Sequence, residues 1–149
     1  MKFWDSSAIL PLCLHEPRTV LVEKIVREDS EIVAWWGTPI EGYSAFARLR
    51  REGILDDDGE QAAREYLNQW AKEWTEMEPS HQVRDNAARV LLLHPLRAAD
   101  SLQLAAALVW ANQKGMGHEF VCLDRRLRGA ALREGFSVLP READIPKGK

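Results

Sequence analysis

Residues 1–10 read MKFWDSSAIL. Lys2 to Trp4 is a short apolar strand that runs straight into Asp5, after which two serines and a fresh apolar stretch begin at once. Working outward, the same pattern returns. Glu31 to Trp35 reads as a second strand, Phe120 to Leu123 as a third and Phe136 to Leu139 as the last, with helical stretches between them. Short apolar strands alternating with helices argue for a parallel sheet covered on both faces. The fold class is therefore α/β: a short parallel β-sheet flanked by α-helices in a single domain.

The intervening helices have recognisable punctuation. Ser6 or Ser7 can cap a helix from about Ala8, shortened or bent by Pro11. Pro17 suits the first turn of a helix whose apolar positions include Val20, Leu21 and Ile25. TPIEGYSAFARLRREG (38–53) supplies a cap, a first-turn proline, apolar Ile40, Tyr43, Phe46 and Ala47, and a closing Gly53. Asp56 to Asp58 open a helix with Ala63, Tyr66, Leu67, Trp70 and Trp74 on one stripe, and Ser80 starts another that Pro95 stops. The stretch from Asp56 to Pro95 reads as an inserted helical layer. RAADSLQLAAALVWANQKG (97–115) is a long apolar helix ending at Gly115, and Arg125 to Glu134 is a short one. The domain spans 1–140, and 141–149 form a polar C-terminal tail.

A chain of 149 residues with 46% hydrophobic and 29% charged residues suits one globular domain with a sizeable core. The longest apolar run, Leu104 to Ala111, is far too short to span a bilayer, and no signal-peptide core opens the chain. A cytoplasmic protein with no membrane association is expected. Cys13 and Cys122 have neither metal-ligand spacing nor a disulfide framework, and read as buried free thiols. The net charge of −3 does not advertise nucleic acid, yet 14 of the 20 basic residues are arginine, which suits phosphate contacts.

Four acids stand out. In an open parallel sheet the carboxyl ends of the strands and the amino ends of the following helices share one edge, where ligands bind. Asp5 ends the first strand, and Asp124 holds the same place after FVCL. Glu41 is in the first turn of the helix after the second strand, and Asp100 is at the start of the long apolar helix. Each also has an ordinary reading. Thr38-x-x-Glu41 spells a capping box, Asp124 an N-cap, Asp100 a first-turn acid and Asp5 a turn residue. Those readings do not explain why Asp100 sits on a helix with so little polar surface.

Gathering the four has an electrostatic cost. Two carboxylates ~5 Å apart repel by about 3 kcal/mol at an effective dielectric of ~20. Such a cluster takes up protons or is neutralised by a cation. A hard divalent ion, Mg²⁺ or alternatively Mn²⁺, fits better than Zn²⁺, since no His or Cys lies at ligand spacing among the acids. Asp5, Asp100 and Asp124 are the expected ligands. A bound metal of this kind polarises a phosphoryl oxygen and activates water, and a carboxylate free of it can help deprotonate that water.

FWDSSAIL, TPIEGYSAFARL, RAADSLQLAAAL and VCLDRRL, in this order, resemble the PIN-domain ribonucleases, and among them the VapC-type toxins of toxin–antitoxin pairs. The resemblance runs from Lys2 to Pro140. It implies a PIN fold, Mg²⁺- or Mn²⁺-dependent endoribonuclease activity, and Asp5, Glu41, Asp100 and Asp124 as the catalytic acids. It places Ser6 at the small hydroxyl position after the first acid. It also implies an RNA substrate, a VapB-type antitoxin lying across the groove, and a homodimer. Two positions depart from the pattern: Cys122 stands where relatives often carry Thr or Ser, supporting the acids with a weaker donor, and Gln103 stands where many have His.

For RNA, Arg125, Arg126 and Arg128 directly after Asp124 are candidate phosphate contacts, and Trp36 is a candidate for stacking on an unpaired base. Rival chemistries fit less well. A receiver domain wants paired acids after the first strand, and an aspartyl phosphatase wants an acid where Ser7 stands. The four histidines lie in separate contexts, unlike a two-histidine ribonuclease. The alternative is a PIN-like module that binds RNA or protein without catalysis.

Overall fold

A computed structural model of the chain describes residues 1–147; Gly148 and Lys149 of the tail lie outside the described residues. Five parallel strands form one sheet in the order β3-β2-β1-β4-β5. At its centre is β1 (Lys2–Trp4), flanked by β2 (Ile32–Trp35) and β3 (Thr75–Met77) on one side and β4 (Glu119–Val121) and β5 (Ser137–Leu139) on the other. Successive residues of a strand face opposite sides. Phe3, Val33, Trp35, Phe120 and Cys122 therefore enter one core, while Trp4, Ile32, Ala34, Val121 and Leu123 enter the other.

Helices fill both faces. α1 (Ser6–Cys13), α2 (Thr19–Glu28), α3 (Thr38–Arg51) and α4 (Asp57–Glu73) close the Trp4 side. α5 (His81–Leu93), α6 (Ala98–Trp110) and α7 (Arg125–Arg133) close the Phe3 side. Fully burying an aromatic or aliphatic side chain is worth ~1.5–3 kcal/mol. The strands, short as they are, are held mainly by Phe3, Trp4, Val33 and Phe120, all inaccessible to solvent. Phe3 and Phe120 also stack across β1 and β4 with ring centroids 5.4 Å apart.

Several expectations are corrected. The segment from Asp56 to Pro95 is not a helical layer: α4 and α5 lie on opposite faces, and β3 between them adds an edge strand to β2. α1 begins at Ser6, and its cap is Asp5 rather than a serine. In α2 the buried positions are Thr19, Val22 and Ile25, leaving Val20 exposed. α3 turns Gly42, Ala45 and Phe46 inward and leaves Ile40 in solvent. A Cβ at Gly42 would lie 2.4 Å from Leu67 Cδ2, so glycine there lets α3 sit close against α4. α6 stops at Trp110, before Asn112 and Gln113 adopt positive φ. In the tail, Glu142–Asp144 form one 3-10 turn. Both cysteines are free and buried. Among the described residues no helix is long and apolar enough to cross a membrane.

Candidate active site

The strand order reverses about β1, which leaves a crevice at the carboxyl ends of β1 and β4. Asp5 and Asp124 occupy those two ends, each as the cap of the next helix. Asp5 is 3% exposed; its Oδ2 accepts from the Ser7 backbone N–H at 3.0 Å and lies 3.6 Å from Cys122 Sγ. Asp124 is exposed, and its Oδ1 accepts from the Leu127 N–H at 2.9 Å. Glu41 and Asp100, in the first turns of α3 and α6, complete the group. The carboxylates sense one another: Asp5 feels Asp100 and Asp124, Glu41 feels Asp5 and Asp100, and Asp100 feels Asp124.

Glu41 does not close a capping box. Gly37, not Thr38, is the cap of α3, and Glu41 is turned inward. Ser6 Oγ donates to its Oε1 at 2.8 Å, and Gln103 Nε2 donates to its Oε2 at 3.0 Å. The same Gln103 nitrogen donates to Thr38 Oγ1 at 3.0 Å, so a fully buried amide on α6 fixes the start of α3. Ser7 was not singled out by sequence, yet its Oγ accepts from the backbone N–H groups of Leu123 (2.9 Å) and Asp124 (3.2 Å). It ties the end of β1 to the end of β4. Its only sequence signal is a second hydroxyl two places after Asp5.

The charges are under strain. Burial, reinforced by the charges of Asp100 and Asp124 and opposed by Ser7, pushes the Asp5 carboxyl up to about 6. Burial and the Asp5 charge push Glu41 up to about 7, against the hydrogen bonds from Ser6 and Gln103. Asp100 is also raised, by burial and then Asp124, with Arg97 and Arg126 opposing. Burial raises the Cys122 thiol well above its ordinary range, so it acts as a neutral donor.

A cleft of about 850 Å³ opens over Glu41, Asp100 and Asp124. Its rim carries Arg48, Arg97, Arg125 and Arg126. Arg48 and Arg97 went unflagged in the sequence. The signal for Arg48 is its spacing, since Glu41, Ser44 and Arg48 fall at i, i+3 and i+7 on one face of α3. Arg128 is a correction. It is 7% exposed, and its guanidinium donates to the carbonyls of Cys122 and Pro140, each at 2.7 Å, so it faces the core rather than a phosphate. Trp36 is 52% exposed but lines a neighbouring groove, not the acidic cleft.

The donor set is carboxylate oxygen without histidine, which suits a hard cation. Among the described residues no three His, Cys, Asp or Glu side chains form a ready-made metal-binding group. Mg²⁺ does not require one, because it usually keeps several waters and takes one or two carboxylates with substrate phosphate. The upward-shifted acids are the other half of the fit, since a cation relieves the repulsion that a proton otherwise relieves.

No protein-family model matches the chain, and no curated protein matches it by sequence. Solved structures do match in three dimensions. VapC20 of Mycobacterium tuberculosis, a sarcin-ricin loop cleaving toxin, superposes with TM-score 0.65 at 13% identity, over 87% of this chain and 95% of its own. FitAcB from Neisseria gonorrhoeae gives 0.64 at 16% identity, over 94% and 97%. The chain has the PIN-like α/β fold of these structures. PAE2754 from Pyrobaculum aerophilum shares this PIN fold with TM-score 0.60 at 20% identity, over 89% of this chain and 88% of its own. At these identities the likeness is one of architecture, and what the PIN fold does here has to be argued from its own cleft.

Proposed function

We propose that the chain is a Mg²⁺- or Mn²⁺-dependent endoribonuclease that hydrolyses RNA phosphodiester bonds, acting as the toxin of a VapBC-type toxin–antitoxin pair in the cytoplasm. The observation that carries this reading is the meeting of Asp5, Glu41, Asp100 and Asp124 at one sheet edge beneath a rim of arginines. Asp5, Asp100 and Asp124 would hold the metal, which supplies charge neutralisation and polarisation of the phosphoryl group.

This chain's own side chains do the rest. Arg48, Arg97, Arg125 and Arg126 bind the RNA phosphates and set the register of the strand. Glu41 accepts the proton of the attacking water, its two oxygens oriented by Ser6 and Gln103. Water adds to phosphorus, one P–O ester bond breaks, and the departing oxygen takes a proton from solvent. Ser7 and Cys122 hold Asp5 and the Asp124 backbone in place.

The partners follow from the same reading. An antitoxin of VapB type that reaches this cleft must answer four acids, and a cationic side chain does so where the metal would. A homodimer belongs to the reading by the same resemblance. The test is cleavage of a mixed cellular RNA pool by purified, antitoxin-free protein with Mg²⁺, with Mn²⁺ and with EDTA. Discrete products with metal and none with EDTA are expected. Cleavage that survives EDTA would overturn the metal assignment.

A further inference from the structure

Beside the acidic cleft lies a second concavity of about 440 Å³, built from Trp35, Trp36, Pro79, His81, Arg84 and Leu102. The Trp35 indole on its wall depends on a neighbouring glycine. A Cβ at Gly37 would fall 2.6 Å from Trp35 Nε1, so only glycine lets that indole lie under the turn. Trp36 stands at the mouth. Its backbone N–H is held by the Met77 carbonyl at 3.0 Å, and its ring meets Trp35 edge-on with centroids 6.4 Å apart. The ring is anchored at one edge and half open to solvent.

The groove adjoins the acidic cleft along two elements. On α6, Ala99 and Asp100 line the cleft, and Leu102 lines the groove. On the β2–α3 connection, Trp36 lines the groove, and Ile40 and Glu41 line the cleft. The step between them is about one helical turn, ~5 Å, comparable to a single nucleotide. An aromatic face alone would not name its occupant. Here it neighbours an arginine-rimmed cleft, Ala99 of the cleft and Leu102 of the groove standing three positions apart on α6, and it carries Arg84 on its own wall. That pairing of π-face with cation matches a polyanion bearing bases.

We infer that this groove is a base-binding subsite one nucleotide from the acidic cleft, in which an unpaired base of the RNA stacks on Trp36 and its phosphate meets Arg84. The inference rests on the ribonuclease reading above and narrows its substrate: the strand must be single or looped out at this position.

The test uses a ten-nucleotide oligoadenylate and the same decamer with abasic riboses, bound to the metal-free protein in EDTA at low salt and read by tryptophan fluorescence. The wild type is expected to bind the full decamer with quenching. Trp36→Ala should raise Kd on the order of ten-fold, the usual size of a lost base–aromatic stack. Trp36→Phe should keep most of the affinity and lose most of the quenching, which separates stacking from damage to the fold. The wild type should bind the abasic decamer about as weakly as Trp36→Ala binds the full one. An unchanged Kd for Trp36→Ala, or equal wild-type binding of both decamers, overturns the subsite. If metal-dependent cleavage persists while binding ignores Trp36, the subsite fails and the ribonuclease reading stands. If binding depends on Trp36 and the base, yet no RNA is cut with either metal, the subsite stands and the ribonuclease reading fails.

Discussion

Asp5→Asn should abolish cleavage and at the same time stabilise the metal-free protein. Burial lifts the folded Asp5 carboxyl from the ordinary 3.8 to about 6. The folded state therefore holds a proton that the unfolded chain has released. The contribution of this group to stability is full below about 3.8 and is lost as the pH rises through about 6. Above that pH a shift of this size amounts to roughly 3 kcal/mol of destabilisation. Asparagine removes the buried charge, and it caps a helix about as well as aspartate does. It forfeits ~0.3–1 kcal/mol of charge–dipole attraction at the start of α1. The net gain at pH 8 is then about 2 kcal/mol, or ~4–8 °C in Tm for a domain of this size. Thermal melts of both proteins in EDTA at pH 5 and pH 8 measure it. The variant should be the more stable at pH 8 and keep about half of that advantage at pH 5, where the titration is only part-way complete, and added Mn²⁺ should raise the Tm of the wild type more than that of the variant. An Asp5→Asn protein that melts below the wild type at pH 8, or that gains equally at both pH values, would refute the argument that the site is held in a charged, repulsive state.

Three other perturbations follow from the same geometry. Glu41→Gln should lower the cleavage rate by ~10²–10⁴ with RNA affinity in EDTA retained, and wild-type turnover in single-turnover assays would remove Glu41 from proton transfer. Arg48→Ala and Arg126→Ala should each flatten the dependence of log Kd on log salt by ~0.7 for single-stranded RNA; Arg133→Ala, exposed at the far end of α7, should leave that slope alone. Arg128→Ala strands two buried carbonyls and should cost about 2–5 kcal/mol in urea melts, whereas Arg125→Ala, on the exposed turn of the same helix, should stay within ~0.5 kcal/mol. Should Arg128→Ala melt like the wild type but bind RNA weakly, Arg128 would return to the phosphate contacts.

The centre of this sheet could be read from sequence because its strands are buried on both faces, which leaves runs such as FVCL with no polar alternation. β3 could not. Thr-Glu-Met pairs with one neighbour only, its first residue is exposed, and Met77 is its single apolar residue between two helices. Helix registers slipped where an apolar residue flanks the buried stripe without belonging to it, as Val20 flanks Val22 and Ile40 flanks Gly42. Arg128 slipped the other way. Leu127, Ala130 and Ala131 trace the buried face of α7, and position 128 lies on that face while 125 and 126 do not. The contacts that hold the acids are not local in sequence. Gln103 reaches Glu41 across 62 positions and Ser7 reaches the Asp124 backbone across 117, and only the folded topology brings such pairs together.

The ordinary and functional readings of these acids turn out not to compete. A carboxylate has two oxygens and about four acceptor sites. Asp5 caps α1 through Oδ2, and Asp124 caps α7 through Oδ1. Neither cap uses the second oxygen of its acid, Oδ1 of Asp5 or Oδ2 of Asp124. Capping therefore fixes the rotamer of each acid while leaving one oxygen for a cation. The capped helices also point their amino ends, and so their partial positive charge, at the cluster. That offset is too small to cancel the mutual repulsion, as the upward shifts of Asp5 and Glu41 attest. An acid placed where a strand surfaces thus starts a helix and stores an unmet demand for positive charge. In this chain that demand arises at the end of β1 and again at the end of β4, on either side of the crevice where the strand order turns.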